Sequence, residues 1–234
     1  MALKYSDEIA SQEGLLIMVV GEHGSGKTHL IRTCPRPLVF DFDRGILTNH
    51  DVHVPYLTKD DIPSTQILHR TLDSPPNLSD GKAPSGIVID SVTAWIDEIL
   101  FDEIKGGKGA RVGLTQQDWG RVFVEIQSLF LRCKKLVKDD HKYDYILLTF
   151  HTEAKEDRVT QELVVGPSVP GGMFWRTGRH ADLYIRIKSH SSKHSIVDNR
   201  QGPWRDRARV VTNMEPPDVG QWLANFTKVK GEEK

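Results

Sequence analysis

The stretch that most constrains this 234-residue chain is Gly21-Glu22-His23-Gly24-Ser25-Gly26-Lys27-Thr28, which fits the phosphate-loop pattern G-x-x-x-x-G-K-T. Its flanks are what that chemistry needs. Leu15-Leu16-Ile17-Met18-Val19-Val20 is an unbroken apolar run, as expected of a strand buried on both faces. His29-Leu30-Ile31-Arg32 continues as a helix until Pro35 and Pro37 stop it. Strand, glycine loop and helix start together place successive backbone N–H groups and a helix dipole around a phosphate. All eight residues, Gly21, Glu22, His23, Gly24, Ser25, Gly26, Lys27 and Thr28, are read as the nucleotide-binding set. Lys27 is expected to reach the terminal phosphates of ATP, and the Thr28 hydroxyl to hold Mg²⁺. His23 occupies a variable position and has no chemistry of its own in this reading.

Other apolar runs supply the rest of a sheet. Pro37–Gly45 ends in Asp41, Asp43 and a glycine turn, Gly86–Ser91 places Asp90 after Ile87-Val88-Ile89, and Tyr145–His151 ends in Thr149 and His151. The fold class expected is α/β, a mainly parallel central sheet flanked by helices. Ile196-Val197 and Val210-Val211 suggest antiparallel edge strands near the C-terminus. Helices are expected after Asp90, where Val92, Trp95, Ile96, Ile99 and Leu100 share a face. A longer one is expected after Thr115, which caps it with Asp118 three residues on. Trp119, Val122, Phe123, Ile126, Leu129, Phe130, Cys133, Leu136 and Val137 keep helical period along it, making Cys133 a core residue. Residues 1–14 read as a lead-in, 15–226 as one domain and 227–234 as a frayed tail.

Composition narrows the partners. A formal net charge of −1 confines any nucleic-acid binding to local patches. With two cysteines in no metal-type spacing, no signal pattern and no membrane-length apolar run, a reduced cytoplasmic protein is expected.

Strand ends carry the chemistry in open parallel sheets. Asp90 is the expected Mg²⁺ carboxylate, acting through water. Asp43 is the candidate for the water-activating group, with Asp41 an orienting alternative. Thr149 or His151 is placed to contact the γ-phosphate and report it to the following loop. Lys27, Asp43, Asp90 and His151 form the catalytic set.

The order of these motifs resembles the RecA-like P-loop ATPase core over about residues 15–215. Ile87–Val92 is similar to the second nucleotide motif of recombinases, down to Asp90-Ser91. Asp43 falls where that family carries a catalytic glutamate, and His151 where it carries a γ-phosphate-sensing glutamine. Gly171-Gly172 followed by Leu183–Ile187 resembles the segment after the family's second DNA loop. The resemblance implies single-stranded DNA contacts at 105–113 and 152–170, from Lys105, Lys108, Arg111, Lys155 and Arg158, with Phe174 and Trp175 as stacking or core residues. It also implies a homo-oligomer. Where RecA has a lysine pair reaching a neighbour's nucleotide, this chain has Val210–Met214, with Arg176, Arg179, Arg207 and Arg209 as substitutes. A core without RecA's flanking regions looks most like phage-encoded RecA-core proteins, including single-strand annealing recombinases, often labelled AAA-type phage nucleotide-binding proteins. The expectation is an ATP-hydrolysing DNA recombination protein that anneals or pairs strands. Three alternatives stay open: a helicase-type or packaging motor, a small-molecule kinase, and a nucleotide-gated binding module without hydrolysis.

Overall fold

Strand β1 (Leu15–Gly21) is buried along its whole length, and its alternate residues enter two different cores. Leu16, Met18 and Val20 face one core; Leu15, Ile17 and Val19 face the other. A strand apolar on both faces needs helices on both sides, and this requirement sets a three-layer architecture. The computed structural model describes residues 14–48, 53–106, 114–157, 160–190, 193–197 and 218–224.

On one side of the loop, β1 leads into α1 (Lys27–Leu30), which tightens into a 3₁₀ turn at Ile31–Thr33 before the prolines. β2 (Pro37–Asp41), a short helix α2 (Gly45–Thr48) and β3 (Tyr56–Thr58) follow. Helix α3 (Thr65–Asp73) is capped by the Ser64 hydroxyl and leads to β4 (Gly86–Asp90). Helix α4 starts at Val92–Trp95, widens into a π turn at Ile96–Leu100 and continues as Phe101–Lys105. Helix α5 (Gln116–Lys138) opens with the expected Thr115–Asp118 capping box. β5 (Tyr145–Phe150), the strands β6 (Thr152–Glu156) and β7 (Leu163–Pro167), and a short helix α6 (Met173–Arg176) come next. β8 (Leu183–His190), β9 (Lys193–Val197) and a helical segment at 219–224 complete the described chain.

The main sheet has the order β3-β2-β4-β5-β1-β8-β9. Every neighbouring pair is parallel except β8 with β9. The expected antiparallel edge is therefore present at Lys193–Val197; Val210-Val211 lies outside the described residues. Helices α3, α4 and α5 cover one face, while α1 and the 219–224 segment, through Val219 and Trp222, cover the other.

Two expectations are revised. The first turn of α5 lies at the edge of the core: Trp119 is 38% exposed and packs edge-on against Phe101. The stretch 152–170, matched by resemblance to the second DNA loop, begins with β6, which pairs antiparallel with β7 in a separate two-stranded sheet. Cys133 is core as expected; burial pushes its thiol up to about 12.

Register brings the strand ends together. Asp41 pairs with Asp90, and Ile89 with Leu148, so Asp90 and Thr149 stand side by side at the carboxyl edge next to Gly21.

Candidate functional site

The phosphate loop turns on two glycines in the left-handed region, Gly24 at φ 73° and Gly26 at φ 93°. A Cβ on Gly21 would lie 2.2 Å from Ser25 Oγ and 3.1 Å from the Ile187 carbonyl oxygen, so a side chain there would displace the Ser25 hydroxyl. Ser25 Oγ is buried and has no hydrogen-bond partner among the described residues. An orphaned hydroxyl inside a cradle of loop N–H groups suits a bound phosphate oxygen. Lys27 is almost fully buried, and its Nζ donates to the Gly21 and Glu22 carbonyls at 2.8 and 2.9 Å. Burial lowers its pKa, while Asp90, Asp43 and Glu22 act to hold the charge.

Asp90 is fully buried at the end of β4. Thr28 Oγ1 donates to its Oδ2 at 3.0 Å and Thr149 Oγ1 to its Oδ1 at 2.5 Å. Burial raises the Asp90 pKa, and the two hydroxyls act against that rise. Thr149 therefore serves Asp90 rather than pointing at a phosphate. Ser91 caps α4 through its hydroxyl, which accepts from the Ala94 N–H at 3.1 Å.

Among the described residues no three His, Cys, Asp or Glu side chains gather as a metal cage. A threonine hydroxyl and one carboxylate beside a phosphate loop nevertheless fit Mg²⁺, which keeps most of its water and takes few protein ligands. The space for it is bounded by Gly45, where a Cβ would lie 2.6 Å from Thr28 Oγ1 and 3.3 Å from Asp90 Oδ2. Asp41 is fully buried and accepts from the Gly45 and Ile46 N–H groups at 2.8 and 3.0 Å. It builds the turn after β2 rather than facing the phosphates. Sequence reading missed Gly45; the only signal was a glycine just after the two acidic residues.

Asp43 leaves β2 beside Asp90, whose carbonyl accepts both the Phe42 and Asp43 N–H groups at 2.8 and 3.1 Å. Its Oδ2 lies 2.8 Å from His151 Nε2, with side chains 30% and 25% exposed. The His151 hydrogen bond is the main cause holding the Asp43 carboxyl below the usual carboxylate range, with Lys27 and His23 adding charge attraction. His23, from the phosphate loop, stacks on His151 at 6.4 Å between centroids. The structure thus gives His23 a neighbour that its variable motif position did not suggest. His151 is also tied to the β6–β7 sheet: its N–H donates to Thr93 Oγ1, Thr93 Oγ1 donates to the Ser168 carbonyl, both at 3.1 Å, and Ser168 N–H donates back to the His151 carbonyl at 2.7 Å.

With the phosphate loop, Asp90 and the sheet order in place, comparison with known proteins decides the family. A family model described as an AAA domain (AAA_24) matches residues 13–217, most of the chain. The chain belongs to this AAA domain family. Its architecture is α/β, a mainly parallel sheet flanked by helices with the phosphate loop after β1, and ATP and Mg²⁺ are the ligands general to AAA P-loop ATPases. No curated protein matches the chain. Among solved structures it is similar to the flagellar accessory protein FlaH from Methanocaldococcus jannaschii, at 12% identity and a TM-score of 0.37 over 82% of this chain and 83% of that one.

Of the residues suggested for DNA contact in this AAA domain, Lys105 and Lys155 lie within the described chain. Lys108, Arg111 and Arg158 lie outside the described residues, as do Arg207 and Arg209. Lys105 ends α4, half-buried. Lys155 folds inward: its Nζ lies 3.0 Å from Glu153 Oε2, donates to the Val169 carbonyl at 3.3 Å and sits 4.8 Å from the Phe174 ring centre. Phe174 is fully buried in the core, and Trp175, partly buried, packs edge-on against it at 4.7 Å. Arg176 stacks over Phe123 at 5.7 Å. No helix among the described residues is long and apolar enough to cross a membrane.

Proposed function

We propose that this AAA domain hydrolyses ATP and uses the presence of the γ-phosphate to change its grip on single-stranded DNA, working as a homo-oligomer in strand annealing or pairing. The observation that carries the hydrolysis is the convergence of Lys27, Asp43, Asp90 and His151 at adjacent strand ends, with Asp43 bonded to His151 and close enough to Lys27 to feel its charge. Lys27 would exchange two loop carbonyls for phosphate oxygens. Thr28 and, through water, Asp90 would hold Mg²⁺, which when bound spreads the charge that develops on the phosphates.

Asp43, held by the His151 hydrogen bond beside Lys27, would orient the attacking water. Water oxygen bonds to the γ-phosphorus, the bond to the ADP oxygen breaks, and the proton leaves with inorganic phosphate. Competition for Asp43 between water and His151 would shift His151 and, through Thr93 and Ser168, the base of the β6–β7 sheet.

The DNA part rests on the resemblance to RecA-core recombination proteins and on the cations of 105–113. Residues 152–162 support it less, since Glu153, Glu156, Asp157 and Glu162 outnumber Lys155 and Arg158. The Asp43–His151 bond also favours a second reading, a nucleotide-gated module in which Asp43 is held away from water. Phosphate release with wild type, Lys27→Ala and Asp43→Ala, each with and without single-stranded DNA, separates these. The expected result is turnover by wild type stimulated by DNA, lost binding in Lys27→Ala, and binding without turnover in Asp43→Ala. Normal ATP binding by Lys27→Ala would overturn the site. Absence of DNA binding at low salt with either ATP or ADP would overturn the partner.

A further inference from the structure

The turn after β2 closes the remaining side of the Thr28–Asp90 pair. Strand β2 ends at Asp41, and its buried carboxylate holds the N–H groups of Gly45 and Ile46, four and five residues on. The Phe42 and Asp43 N–H groups are held by the Asp90 carbonyl. Pinned at both places, the turn sets the Gly45 Cα against Thr28. A Cβ there would meet Thr28 Oγ1 at 2.6 Å, Thr28 Cγ2 at 3.3 Å and Asp90 Oδ2 at 3.3 Å. These three atoms belong to the two side chains read as metal ligands.

We infer that Gly45 is a determinant of Mg²⁺-dependent nucleotide binding, and that Asp41 is the positioning residue that holds it in place. The inference rests on the Mg²⁺–ATP reading above. The physical argument is specific. Gly45 is not in the left-handed region that favours glycine, so its backbone accepts a side chain. It opens helix α2, where alanine is a better helix former than glycine. A methyl group therefore strains no backbone; what it displaces is a side-chain hydroxyl. Thr28 Oγ1 must rotate away, breaking its 3.0 Å bond to Asp90 and leaving the metal position. The phosphate loop and Lys27 are untouched, so nucleotide binding without metal survives.

The test is the affinity of a fluorescent ATP analogue for wild type, Gly45→Ala and Asp41→Asn, each in Mg²⁺ and in EDTA, with melting curves in EDTA. For Gly45→Ala, affinity in EDTA and melting temperature should match wild type. The enhancement by Mg²⁺ should fall about tenfold or more, the range seen when groups supporting a metal site are lost. Asp41→Asn keeps the shape but leaves one oxygen to accept from the two N–H groups, and should lose part of the same enhancement. Equal enhancement in Gly45→Ala and wild type would overturn the inference, as would a Gly45→Ala protein that fails to fold, since only the Thr28 side chain is argued to move. Unchanged enhancement in Asp41→Asn would remove Asp41 from it. Wild type whose affinity ignores Mg²⁺ would instead sink the parent reading.

Discussion

Replacing Thr149 with valine tests the buried carboxylate on which the site is built. Thr149 Oγ1 lies 2.5 Å from Asp90 Oδ1, and neither residue is more than 1% exposed. Valine fills nearly the same volume, so the change removes a hydrogen bond without opening a cavity. A hydrogen bond to a charged group contributes about 1.5–3 kcal/mol, and a buried acceptor cannot recover it from bulk water. The Thr28 hydroxyl still serves the other carboxylate oxygen, which keeps the loss near the middle of that range. Metal-free Thr149→Val should therefore be less stable by about 2 kcal/mol, or about 4–8 °C in melting temperature for a domain of this size. Urea unfolding in EDTA reads the loss as a lower midpoint with an unchanged slope. A loss under about 0.5 kcal/mol would refute the claim that the Thr149 hydroxyl stabilises the buried Asp90 carboxyl.

Asp43 gives the pH prediction. Its carboxyl is depressed chiefly by the His151 hydrogen bond, so its share of stability is complete above the ordinary carboxylate value of about 4 and is lost as pH falls through the lower folded value. Below about pH 4, metal-free wild type should lose stability more steeply than His151→Ala, by no more than about 1 kcal/mol given the pair's exposure; superimposable acid curves would show that the pair does not stabilise the fold. Thr93→Val should uncouple the nucleotide from the β6–β7 sheet, because one hydroxyl both accepts from His151 and donates to Ser168. In wild type, hydrogen exchange at 152–167 should differ between ATP and ADP, and in Thr93→Val that difference should vanish. Exchange indifferent to nucleotide in wild type would rule out this route.

Much of the nucleotide-binding end of the molecule was legible in the sequence because it is written in local patterns. Continuous apolar runs marked β1, β4 and β5, and glycine spacing marked the loop. The Thr115–Asp118 box marked the start of α5. What was not legible depends on register and on side chains meeting across long gaps. The β6–β7 pair was hidden because most of its residues are partly exposed on both faces, leaving no alternation to read. The pairing of His23 with His151, the turn from Asp41 to Gly45 and the Thr93–Ser168 link join residues whose sequence neighbours look ordinary. The place of Thr149 at a strand end is visible in the sequence, whereas its bond to Asp90 is not. Lys155 read as a free cation in a charged stretch; the fold turns it towards Glu153 and Phe174.

The central claim, that the carboxylate after β2 orients water against a nucleotide held by the phosphate loop, is tested most directly by single-turnover cleavage of ATP with Asp43→Asn. Asparagine keeps the size of the side chain and removes its charge. The account predicts ATP affinity close to wild type and cleavage slowed on the order of 10²-fold or more. Cleavage at the wild-type rate with ATP fully bound would contradict it.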